Sequence, residues 1–352
     1  MLRTALGLVA TICVLLVAGG CGDDDDDGGG GGNGGGGGGA EAEETVRLGF
    51  VMEARPADQP WSAAIHDAGV KLQENDPGTE VTETFEAYDP TAAEPVARQL
   101  LDEGYGVLVL HSFALNDVAH TLAGEYSDVP MSVSSFDPPV QPNLSIATAS
   151  YLQIGYSNCW LLARLSESGT IGIVGAQPIP YATELERGCK LGAKAADPEI
   201  EVLAAYGGDF ADQQPTLEQS RNIVNRGADG LFPSSATEDS LGGFQVCEQE
   251  EINCAGWAAN ASQYAPNTAV TSAIVSWDVL LENLVDQARS GNLEATTFDA
   301  TFGNDGLTTP GFEGDAAGRV PDDVQQEYTD LIEQLANDEV QLPKSRAHPC
   351  CP

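Results

Sequence analysis

From Val46 onward, short apolar runs alternate with stretches that place an apolar residue every three or four positions. This alternation limits the possible folds more than any other feature of the chain. Val46 to Met52, Val81 to Phe85, Val107 to Leu110, Pro130 to Val133, Ile171 to Val174, Val202 to Tyr206, Gly230 to Phe232, Ile252 to Gly256 and Val270 to Ile274 read as strands. Trp61 to Glu74, Ala92 to Glu103, Asn116 to Glu125 and Thr183 to Ala196 read as helices, the first with Ile65, Ala68, Gly69 and Leu72 on one face. Strands that are apolar throughout are buried on both faces, which calls for parallel sheets covered by helices. There are too many for one sheet of ordinary width. The pattern therefore predicts an α/β protein of two doubly wound domains, and the chain from Glu41 onward is long enough for both.

The first 44 residues carry no such pattern. Arg3, the apolar run Leu6 to Val17 and the small residues Ala18, Gly19 and Gly20 have the layout of a secretory leader (residues 1–20). Leu16 to Cys21 resembles a bacterial lipobox, so Cys21 is expected to be lipidated and to become the mature N-terminus. The apolar run is shorter than the roughly 20 residues that a spanning helix requires. Asp23 to Asp27 and the glycines from 28 to 39 cannot bury enough apolar surface to offset chain entropy, so residues 21–44 read as a solvated linker.

Charge narrows the partners. With 54 acidic against 15 basic residues and an isoelectric point near 4.1, the chain suits neither nucleic acid nor anionic headgroups, so its membrane attachment is expected to be the lipid alone. Apart from Cys13 in the leader and Cys21, six cysteines remain, an even number that suits an oxidising compartment. Cys247 with Cys254, flanking a helix-to-strand turn, is the first candidate pair and Cys159 with Cys189 the second. Cys350 and Cys351 either join each other or serve another role. No metal or cofactor is expected: the histidines are scattered at 66, 111, 120 and 348, with no CxxC pair. No GxSxG, HExxH or GxxxxGK[ST] motif occurs, which disfavours hydrolase, metalloprotease and ATPase chemistry.

In open α/β sheets, ligands bind beyond the carboxyl ends of the strands. The first such loop runs from Glu53 to Trp61; Pro60 suits the first helical position, and Asp58 is placed to cap the helix. Trp61 then projects toward the strand ends as a ligand platform. His111, followed by Ser112 and Phe113 at another strand end, is the one histidine placed to approach a ligand.

The segment Phe50 to Asp67 (FVMEARPADQPWSAAIHD) resembles the opening of the basic membrane protein family, the purine-receptor-like substrate-binding lipoproteins of ABC importers. Gly104 to Asp117, Ser168 to Pro180, Gly227 to Gly230, Cys254 to Trp257, and Thr271 through Trp277 resemble further family motifs in the same order. The resemblance implies a type I periplasmic-binding-protein fold: two Rossmann-like lobes with parallel sheets, joined by three crossovers. The lobes are expected at 45–147 with 272–308 and at 148–271 with 309–352, hinging near Thr148 to Ser150 and Val270 to Ser272.

It also implies a site. Trp61 and Asp58 match the family's first aromatic and its edge-binding acid, and Phe210 falls where the second aromatic is expected, with Phe113 as a further candidate. Tyr181 stands where relatives often have glutamate. Ala258 occupies the place of the acid for ribose hydroxyls, with Asn260 nearby, and Val275 that of a lysine, followed by Ser276 and Trp277. The implied function is non-enzymatic: an exported lipoprotein facing the periplasm or exterior captures a purine base or nucleoside and delivers it to ABC permease subunits. The alternative is a sensing module that reports ligand to a membrane signalling protein.

Cys21→Ser should release the mature protein into the soluble fraction, because acyl chains hold it by about 0.8 kcal/mol per buried methylene. Retention of the variant in membranes after a high-salt wash would point to another attachment.

Overall fold

The computed structural model describes residues 45–85, 89–312 and 316–345. The leader, Cys21, the Asp/Gly-rich linker, His348, Cys350 and Cys351 lie outside the described residues. In the first lobe, β1 (Val46–Met52), α1 (Pro60–Asn75), β2 (Thr79–Thr84), α2 (Pro90–Asp102), β3 (Val107–His111), α3 (Asn116–Glu125), β4 (Met131–Ser134) and β5 (Leu144–Ala149) follow in order. The second lobe takes α4 (Tyr151–Leu165), β6 (Thr170–Gly175), α5 (Pro180–Ala196), β7 (Glu201–Tyr206), α6 (Gln213–Asn225), β8 (Gly230–Pro233), α7 (Ser240–Glu250), β9 (Asn253–Ala258) and β10 (Ala269–Val275). The chain returns to the first lobe with α8 (Asp278–Ser290) and β11 (Thr297–Ala300), then crosses back to β12 (Leu307–Thr308), followed by α9 (Asp322–Ala336).

Each lobe holds one six-stranded sheet, ordered β11-β5-β4-β3-β1-β2 and β12-β10-β9-β8-β6-β7. Strand pairs are parallel except β10 with β12. The alternation in the sequence thus becomes two doubly wound sheets, as expected. Among the described residues, no helix is long and apolar enough to cross a membrane.

The three crossings fall at Ala149–Tyr151, Ser276–Trp277 and Thr301–Gly306. The second lies beyond the boundary at 272 read from the sequence. β10 keeps its pairing with β9 through Ile274 and with β12 through Val275, so Val270 to Ser272 is strand interior and the crossing comes after it. The third comes before Leu307 because Leu307 and Thr308 pair with β10. Leu144–Ala149 escapes an apolar-run reading because its sequence, LSIATA, mixes small and hydroxyl residues, yet every side chain in it is buried.

Helices α4 and α5 pack backbone to backbone. A Cβ at Gly155 would overlap the Leu185 carbonyl, one at Gly188 the Leu152 carbonyl and one at Gly192 the Tyr156 carbonyl. The Cys159–Cys189 disulfide joins the same two helices at a Cα separation of 4.8 Å. A second disulfide, Cys247–Cys254, ties α7 to β9. Because backbone cannot retreat as a side-chain tip can, Gly192→Ala should cost about 1 to 3 kcal/mol or more. Urea denaturation checks this; an unchanged midpoint would contradict the close packing.

Candidate functional site

Loops at the carboxyl ends of strands from both sheets meet around one cavity of about 220 Å³. The first lobe contributes Glu53 after β1, Trp61 in the first turn of α1, and Phe113 and Ala114 after β3. Trp61 fixes this wall. Its indole lies on the His111 imidazole with centroids 4.5 Å apart and planes 13° from parallel, while His111 Nε2 approaches the Trp61 carbonyl at 3.0 Å. Trp277 abuts both rings edge-on from behind. Phe113 extends the wall, stacked on Phe136 at 4.6 Å.

Among the described residues, Glu53 brings the one carboxyl to the lining. Ser112 Oγ donates to its Oε1 at 2.6 Å and Gln59 also bonds it, yet burial outweighs these bonds and pushes the acid up to about 7. His111 is driven the other way: sealed from water, it is held down to about 3, with only the bond to Trp61 opposing, so the ring is neutral.

The second lobe supplies Ile179 and Tyr181 after β6, Phe210 after β7, Ser235 and Thr237 after β8, and Trp257 on β9. Gly208, at φ +100°, makes the turn that brings Phe210 to the cavity, and the Asp239 N–H holds the Phe210 carbonyl at 3.1 Å. Asp239 organises the opposite loop. It accepts from Thr237 Oγ1 at 2.6 Å, Ser235 Oγ at 2.7 Å and Thr216 Oγ1 at 3.0 Å, and burial raises it to about 6 against those bonds. Trp257 Nε1 donates to the Ser234 carbonyl at 2.8 Å.

A backbone hydrogen bond links the two walls. The first N–H groups of a helix have no partner within it; that of Trp61 donates to the Ala236 carbonyl of the other lobe at 2.9 Å. Ala236 adopts a left-handed φ of 55°, a conformation that costs a non-glycine residue on the order of 1 to 3 kcal/mol.

Of the residues singled out in the sequence, Trp61, Phe113, Tyr181 and Phe210 line the cavity, and Asp58, Asn260 and Trp277 do not. Asp58 is exposed in a turn closed by its N–H on the Arg55 carbonyl. It does not cap α1 either: Pro60 begins the helix, so Gln59 holds the capping position and Asp58 falls one residue too early. Asn260 caps the short turn Ala261–Gln263 through the Ser262 N–H and borders a separate surface pocket. Trp277 is fully buried behind Trp61. Sequence reasoning assigned no role to Glu53, Ser235, Thr237 or Trp257. The available signal was their position just past strands β1 and β8 or within β9. Among the described residues, no group of three His, Cys, Asp or Glu side chains is placed to hold a metal ion.

Two lobes closing an aromatic cavity at the carboxyl ends of their strands define a solute-binding protein. The chain belongs to the PnrA-like ABC transporter substrate-binding family, whose profile matches residues 45–344. It is 24% identical over 240 residues to a purine-binding protein of Brucella abortus (strain 2308), covering 68% of this chain and 67% of that protein. It is 23% identical over 299 residues to a putative ABC transporter glucose-binding protein of Haloferax volcanii, covering 85% and 74%. A solute-binding protein of an ABC transporter system from Conexibacter woesei superposes with a TM-score of 0.72 at 27% identity, covering 85% of this chain and 99% of that one. The architecture is the type I periplasmic-binding-protein fold, and the family is one of binding proteins.

A histidine in the unfolded chain takes a proton near 6.5, whereas His111 in the fold resists it until about 3. The stability from keeping it neutral is therefore present above 6.5 and is lost as pH falls toward 3. NMR should show His111 ring signals that do not titrate between pH 8 and 5; a midpoint near 6.5 would contradict the buried stack.

Proposed function

We propose that the protein is the membrane-tethered receptor of an ABC importer and that it holds a purine-like base between its lobes. The carrying observation is the cavity itself: aromatic rings from both lobes surround a space suited to a flat ring system. Stacking of a base on an aromatic side chain contributes about 1 to 3 kcal/mol, so Trp61 and Phe210 together can supply much of a micromolar affinity.

Size favours the base over the nucleoside. About 220 Å³ lies below the roughly 300 to 1,000 Å³ of pockets for larger ligands. Apart from Glu53, no charged side chain among the described residues lines the cavity: Ala258 and Val275 are buried in β9 and β10, and neither they nor Asn260 border it. Each sugar hydroxyl buried without a partner costs on the order of 1 to 3 kcal/mol. The name of the Brucella relative agrees with a purine ligand. A lipid on Cys21 and the linker after it would hold the receptor within a few tens of Å of the membrane, where closure on ligand presents it to permease subunits.

Titration of the purified protein should show adenine or guanine binding at least as tightly as its nucleoside. Trp61→Ala, and Phe210→Ala at the half-buried rim, should each weaken the base by about 1 to 3 kcal/mol. A clear nucleoside preference would assign the sugar to groups outside this cavity.

A further inference from the structure

We propose that Glu53 reads the edge of the bound base and selects two adjacent N–H donors, a ring N–H beside an exocyclic amine as in guanine, over the donor-and-acceptor edge of adenine. This rests on the purine reading above and adds the rule by which one purine is chosen.

Several donors on the cavity wall are already committed to partners within the protein. Ser235 and Thr237 both spend their hydroxyl protons on Asp239. Tyr181 gives its proton to the Ser235 carbonyl, Trp257 its Nε1–H to the Ser234 carbonyl, and Ala114 its N–H to Ser112 Oγ. Trp61 spends its backbone N–H on Ala236, and its Nε1–H is buried without a hydrogen-bond partner. The acceptors left toward the cavity are the hydroxyl lone pairs of Ser235 and Thr237 and the carboxylate of Glu53. A carboxylate offers about four lone-pair directions, of which Ser112 and Gln59 use two. A ligand edge with two donors pairs with that surface. An edge that presents an acceptor to the Glu53 carboxylate meets like lone pairs instead.

Asp58 is exposed and outside the lining, so edge recognition falls to Glu53. Among the described residues, burial and the bonds from Ser112 and Gln59 are what set the Glu53 carboxyl. His111 on β3 is neutral, Tyr181 on α5 keeps its proton because burial raises it well above its ordinary value, and Asp239 beyond it is acidic. Arg55 and Asp58 on the same loop are exposed. Burial pushes the carboxyl up to about 7, and the ionised form is the one that accepts two N–H bonds. Guanine binding should therefore release a proton. Affinity should be level above about pH 7 and fall by about tenfold for each unit below it.

The test is tryptophan-fluorescence titration of the protein and of Glu53→Gln with guanine and with adenine at pH 8 and pH 6, with thermal midpoints as the check on folding. The expected result is a guanine preference of about five- to a hundredfold at pH 8, reduced by close to tenfold at pH 6. Glutamine presents one acceptor and one donor, the pair that matches an adenine edge, so Glu53→Gln should invert the preference and abolish the pH dependence. Adenine preferred by the wild type at pH 8 would overturn the assignment of Glu53 and leave the purine reading standing. So would a Glu53→Gln variant with unchanged preference and pH dependence. Failure of both bases to bind the wild type overturns both readings.

Discussion

The face-to-face contact of Trp61 with His111 fixes the geometry of the binding region. It joins the start of α1 to the end of β3, while the Trp61 N–H reaches across to Ala236 in the other lobe. The arrangement depends on exclusion of water: Trp277 closes it from behind, and dryness keeps the imidazole neutral. A helix N-terminus has N–H groups to spare. Here one is satisfied by the opposite lobe, so approach of the lobes completes a hydrogen bond that α1 cannot make alone.

The polar groups facing this aromatic wall obey the same economy of donors. Asp239 is buried, and three hydroxyls stabilise its charge. Those bonds turn Ser235 and Thr237 into acceptors toward the cavity. A surface of aromatic faces and acceptors is selective because a ligand that brings donors meets partners, whereas one that brings acceptors leaves them unpaired at a cost of about 1 to 3 kcal/mol each.

Away from the cavity, the chain carries features suited to export. Two disulfides lie within the second lobe, one reinforcing helices already in backbone contact through Gly155, Gly188 and Gly192. The formal charge of −39 disfavours direct contact with anionic headgroups.

The sequence by itself determined the two doubly wound sheets, the start of α1 at Pro60 and the placing of Trp61 at a strand end, because strand, helix and turn signals are carried by neighbouring residues. Its errors were long-range. The extent of β10 depends on pairing with β9 and β12, and the strand Leu144–Ala149 is buried by its surroundings and not by its composition. Which loop residues face the cavity was likewise decided by tertiary structure. Asp58 and Glu53 sit five positions apart on one loop, and only the turn closed on Arg55 directs Asp58 to solvent while Glu53 stays at the wall. Trp277 and Asn260 lie near the site in sequence pattern but pack behind it or beside it. Ser235 and Thr237 gain their character from Asp239, and they meet Glu53 across more than 180 positions of chain only because two sheets bring their carboxyl ends together.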